Sequence, residues 1–151
     1  MNKTRRITNK TLCTVSENIS VFILGGAAYV LAELIYRGYS HVTMFFAGGI
    51  SFFLIYISEL HTGERRLVYR CIIYAFMITA LEFVFGVVFN VLLGMNVWDY
   101  SEEPLNVMGQ VCPGFVLMWT ALAFPAVFLC KFIRAGFQKH RNRTGDNALD
   151  N

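Results

Sequence analysis

Charge is the scarce ingredient of this chain. Asp, Glu, Lys and Arg make up 15 % of its 151 residues, against about 25 % in an ordinary soluble domain. With 56 % apolar residues and a mean hydropathy of +0.50, that scarcity excludes a disordered chain and a typical soluble globule. Only three prolines occur, and a collagenous fibre is excluded with them. The four cysteines, Cys13, Cys71, Cys112 and Cys130, form no CxxC pair and no metal-type spacing. They read as free thiols packed among apolar groups, so neither a disulfide-rich module nor a metal site is expected. No Walker A sequence occurs, so this chain does not hydrolyse ATP by itself. No cofactor is implied. Strand alternation is absent as well, and lipid accepts only helices and closed barrels.

What is present is long apolar sequence. Four stretches stand out, at residues 19–36, 42–58, 67–94 and 111–133. Each reaches roughly 17 residues or more, the length that carries a helix across a hydrocarbon core of about 30 Å. The expected fold class is all-α: a polytopic membrane protein with four transmembrane helices. Residues 1–18 form a basic N-terminal segment, 19–133 the membrane domain, and 134–151 a polar tail without order of its own. The first stretch is not a cleaved leader on this reading. Too few strongly apolar residues precede Gly25 and Gly26, and the run continues through Tyr36.

The 13 Lys and Arg residues set the expected orientation. All but Arg37 lie before the first stretch, around the second-to-third junction, or at and after the end of the fourth. The positive-inside rule then puts both termini in the cytoplasm, with the Arg37–His41 turn and the Trp98–Asn106 loop outside. Basic tails of this kind hold to anionic membrane lipid. The net charge of +3 is accounted for by these flanks, leaving no folded basic surface for nucleic acid.

Ionisable groups within apolar spans are costly and tend to face the bundle interior. Glu33, Arg37 and His41 are spaced four apart, on one face if the first helix continues that far. Glu82 sits near the middle of the third span with no basic neighbour on its own helix. It must find a partner on another helix or hold its proton. Gly86, Asn90 and Gly94 follow it at steps of four, a narrow polar stripe that lets another helix approach. In the outer loop, Trp98 and Tyr100 are interface anchors flanking Asp99. Asn106 and Gln110, again four apart, open the fourth span, and Pro113-Gly114 weakens it just beyond. Gly25-Gly26 and Gly48-Gly49 are close-packing positions, while Glu59 and His61 are expected in solvent. An up-down topology gathers Glu33, Arg37, His41, Asn90, Asp99, Asn106 and Gln110 in the outer half, with Glu82 deeper. The expectation is a polar pocket for an unknown small molecule.

Several of these residues also resemble a known family. The run from Glu33 through Arg37-Gly38 and His41 to Thr43-Met44 carries the resemblance, followed by Gly48-Gly49, Glu82, Gly86 and Asn90. Trp98-Asp99-Tyr100-Ser101, Asn106, Gly109-Gln110 and Trp119 complete it. Over residues 25–119 the chain is similar to the Putative ABC-transporter type IV (CmpB-like) family of small bacterial membrane proteins. The resemblance implies a permease-type protein, multi-pass in the bacterial plasma membrane.

The leading functional expectation is a transport-type component that binds a small polar or amphiphilic molecule, as a homo-oligomer or beside other membrane subunits. The second is a non-catalytic interaction or regulatory subunit. The third is an intramembrane lipid-modifying enzyme, with Glu33, Glu82 or Asp99 as acid or base, Arg37 holding a phosphate and His41 shuttling a proton.

Overall fold

The computed structural model describes residues 3–61 and 65–146, with side chains for 12–61 and 65–142. Four helices account for most of it: α1 (Lys3–Arg37), α2 (Val42–His61), α3 (Leu67–Gly86) and α4 (Pro113–Asp146). α3 passes directly into a π-helical turn, Val87–Leu92. No strand forms among the described residues; a single isolated bridge joins Val107 to Val111 in the loop before α4. All four helical segments are long and apolar enough to cross a membrane: Leu12–Arg37, Val42–His61, Leu67–Leu92 and Pro113–Asn142.

The boundaries move at both ends. α1 starts well before residue 19 and α4 continues to Asp146, so the tail expected to lack order from 134 is helical as far as it is described. Residues 1–2 and 147–151 of the expected terminal segments lie outside the described residues. The fourth span begins at Pro113, not at 111. Proline at a first helical position starts a helix rather than weakening it, because its missing N–H has no intrahelical partner there.

Side-chain contacts fix an antiparallel order. α1 and α2 meet through glycines: a Cβ on Gly48 would lie 2.9 Å from the Gly25 carbonyl and against Tyr29. Only residues without a Cβ allow backbones this close, and in lipid such packing replaces the hydrophobic drive available in water. The main core lies where α2, α3 and α4 converge with Val21 of α1. Ile55, Cys71, Tyr74, Ile78, Val127 and Cys130 are buried within it. All four cysteines are unpaired, and Cys71, Cys112 and Cys130 are buried.

Candidate functional site

At the loop end of the bundle, α1 closes on an ion pair one turn from its terminus, between Glu33 and Arg37. The Ser40 hydroxyl donates to the second Glu33 oxygen at 2.6 Å. Arg37 reaches across the bundle end, and its Nη1 donates to the Val97 carbonyl at 3.1 Å. Its guanidinium also lies over the Tyr39 ring, 4.7 Å from the centroid. The helix does not continue to residue 41. Gly38 adopts φ +77°, a left-handed conformation that glycine takes without strain, and the chain turns. His41 therefore leaves the Glu33–Arg37 face. Its Nδ1 accepts from the Thr43 amide at 3.3 Å and pairs with the Thr43 hydroxyl at 2.9 Å. That satisfies an orphan donor at the start of α2.

Glu82 lies ten residues before the end of the π turn, about 15 Å along the helix axis and thus near mid-membrane. It is only 3 % exposed. Its partners come from two other helices. The Tyr29 hydroxyl of α1 donates to Oε1 at 2.6 Å, and the Trp119 indole N–H of α4 donates to Oε2 at 2.7 Å. The two rings stack on each other, with centroids 5.4 Å apart and planes at 30°. One carboxylate thus ties three helices together where lipid offers no competing donors.

The polar stripe from Glu82 holds through Gly86 and Asn90 and then ends. Gly86 is buried against the Gln110 side chain. Asn90 is buried, whereas Gly94 is exposed at φ +63° and turns the chain out of the π segment. Asn90 spends its whole amide on the loop. Nδ2 donates to the Trp98 carbonyl at 2.9 Å and to Gln110 Oε1 at 2.8 Å, while Oδ1 accepts the Val97 amide at 2.7 Å. The Trp98 indole donates to the Gln110 carbonyl at 3.0 Å, and Gln110 Nε2 to the Met108 carbonyl at 2.9 Å. Trp98 is accordingly buried as a loop keystone.

The rest of the loop binds itself. Asp99 Oδ1 accepts both the Ser101 amide, at 2.8 Å, and the Ser101 hydroxyl, at 2.5 Å. These bonds, the hydroxyl's foremost, hold the Asp99 carboxyl below its ordinary value. Asn106 donates to the Ser101 and Glu103 carbonyls at 3.0 and 2.9 Å and accepts the Gly109 amide at 3.0 Å. Tyr100 stacks on Phe115 at 4.2 Å. Burial, then the Glu82 carboxylate, pushes its hydroxyl pKa up.

The expected residues thus do not form one pocket lining, and Glu82 stands apart with Tyr29 and Trp119. Glu33 and Arg37 pair with each other. Asn90, Trp98 and Gln110 form one buried network. Asp99 and Asn106 organise the exposed loop, and His41 caps α2. Tyr29 was not among the expected residues, although its position was readable: Tyr29, Glu33 and Arg37 recur every four residues on α1. Glu59, expected in solvent, is half-buried with its side chain largely covered: Arg70 Nη1 donates to it at 2.8 Å and the Tyr74 hydroxyl at 2.6 Å. At the same end of the bundle Glu17 bridges Tyr56 of α2 and Arg141 of α4. No group of three or more potential metal ligands occurs among the described residues.

A family model described as Putative ABC-transporter type IV matches residues 21–149. No curated protein matches, and no solved structure matches.

Proposed function

This chain belongs to the Putative ABC-transporter type IV family, and from that membership and the geometry around Glu82 we propose a gated polar site inside a membrane transport-type protein. Membership and four membrane-length helices fit a multi-pass protein of transport type. Our finer reading puts both termini and the α2–α3 junction in the cytoplasm of a bacterial plasma membrane, with the 93–112 loop outside. Any ATP-driven step then belongs to a separate subunit, because the chain carries no Walker A sequence.

The observation that carries this reading is the Glu82 carboxylate suspended between Tyr29 and Trp119. A small polar or amphiphilic molecule with a donor or a cationic group replaces one of these two donors. Once Tyr29 or Trp119 is released, α1 or α4 is no longer tied to α3, so occupancy shifts the helix arrangement. Glu33 and Arg37 line the approach from the loop end. Native mass spectrometry of protein released gently from its own membrane tests the reading. We expect a stoichiometric non-protein mass that is lost in Glu82→Gln and in Arg37→Gln. A spectrum explained by protein subunits alone overturns it.

A second reading, a non-catalytic interaction or regulatory subunit, is favoured by the closed Asn90–Gln110–Trp98 network. On that reading the same substitutions change which subunits co-purify and leave no small-molecule mass to lose.

A further inference from the structure

At the end of the bundle away from the loop, α2, α3 and α4 border a half-open cavity of about 410 Å³. Among the described residues, its charged lining is Arg65, Arg70, Lys131 and Arg134 against the single carboxylate of Glu59. That carboxylate is already taken by Arg70 Nη1 and the Tyr74 hydroxyl. Among the described residues no carboxylate forms an ion pair with Arg65, Lys131 or Arg134. The Arg70 side chain is 9 % exposed, and its buried Nε has no hydrogen-bond partner. An orphaned guanidinium N–H costs free energy unless a ligand accepts from it. Three cations beyond the Arg70–Glu59 pair make a site for an anion with several acceptor oxygens, and arginine forks match phosphate best.

Depth and surroundings narrow the anion further. Lys131 and Arg134 lie 18 and 21 residues beyond Pro113, the start of α4. At 1.5 Å per residue that is about 30 Å, one hydrocarbon thickness, so they stand at headgroup level. Beside it, and sharing Arg65 in its lining, lies a shallow open depression of the surface. It is lined by Arg66, Val68, Tyr69 and Ile72, and the last three are apolar groups well exposed on the outer face of α3. A polar cavity at headgroup level beside an exposed apolar strip of α3 has the two-part form of a phospholipid.

We propose that the cavity between Arg65, Arg70, Lys131 and Arg134 is a specific site for the phosphate of an anionic phospholipid, whose acyl chain lies along Val68, Tyr69 and Ile72. The site does not depend on the Glu82 reading, because it stands at the other end of the bundle on different residues.

The test uses the full chain in phosphatidylcholine nanodiscs doped with phosphatidylglycerol, with retained lipid counted by native mass spectrometry. We expect phosphatidylglycerol to be retained stoichiometrically, in preference to phosphatidylcholine. Replacing the exposed pair, Arg65→Gln with Arg134→Gln, removes that preference by on the order of tenfold. Arg134→Lys, which keeps the charge, restores most of it, and Lys139→Gln, at a position outside the cavity lining, changes nothing. Equal retention of the two lipids overturns the proposal, as does an equal loss in Lys139→Gln, which means surface charge without a site. Displacement of phosphatidylglycerol by millimolar inorganic phosphate overturns the lipid and assigns the cavity to a free phosphate. Circular dichroism and size-exclusion profiles of each variant separate lost binding from lost folding.

Discussion

Tyr29 and Trp119 stack on each other and donate to opposite oxygens of the same buried carboxylate, that of Glu82. The stack aligns the two donors, and the carboxylate in turn holds the stack across α1, α3 and α4. Removing one donor and removing the acceptor therefore have different consequences.

Tyr29→Phe deletes one hydrogen bond and leaves an apolar ring in place, so its cost is about 1–2 kcal/mol. Glu82→Leu orphans both the tyrosine hydroxyl and the indole N–H and costs more. In the double variant Tyr29→Phe with Glu82→Leu, the hydroxyl is no longer orphaned, and the combined loss is smaller than the sum. Unfolding in mixed micelles, followed by tryptophan fluorescence, measures all three. Strict additivity would show that the bond to Glu82 contributes nothing.

Asn90 satisfies the Trp98 carbonyl, the Gln110 side-chain oxygen and the Val97 amide through a single side chain. Asn90→Leu keeps the branched shape of the side chain and removes every one of those bonds. The 93–112 loop should then detach while the helices stay packed. Hydrogen exchange reads this as faster exchange of the Val97 amide with little change at Cys71 or Tyr74 in the core. Gln110→Leu should produce a smaller effect on Val97, because Gln110 does not touch that amide. Uniform acceleration across the molecule would mean the network supports the whole bundle rather than the loop.

Asp99 supplies a pH dependence with a definite sign. Hydrogen bonds from Ser101 hold its carboxyl below the ordinary value of 3.8 in the folded loop. A depressed folded pKa adds stability that is fully present above the unfolded value. It is lost as pH falls through the folded one. The loop should therefore be unaffected between neutral pH and about 5, and should loosen only under acid below the ordinary carboxyl range. Exchange at the Ser101 amide is the direct probe. Asp99→Asn keeps an acceptor but does not titrate, so its acid dependence at Ser101 should be flat.

Residue order alone settles the number of apolar spans, their approximate places and the need of Glu82 for a partner from another helix. Those follow from composition and from the cost of a charge in lipid, which hold whatever the neighbours are. It also marked Gly25 and Gly48, since small residues in a span point to close approach. The Glu33–Arg37 pair was legible because both residues lie on one helix, four apart. Which residues meet between elements depends on how the helices pack. Glu82 had no partner on its own helix; the spacing that puts Tyr29 on the Glu33–Arg37 face does not say which helix that face meets, and nothing local selected Trp119. His41 was assigned to the Glu33 face by counting, yet a left-handed turn at Gly38 moved it to the start of α2. Asn90 and Gln110 were expected to line a pocket. A π turn and a self-bonded loop bring them instead into contact with each other and with Trp98. Glu59 shows the same limit from the other side: its neighbours in sequence suggest solvent, while the packing of α3 against α2 brings Arg70 and Tyr74 to it. Periodicity reports the face of a helix, and only the packed bundle supplies the atoms opposite that face.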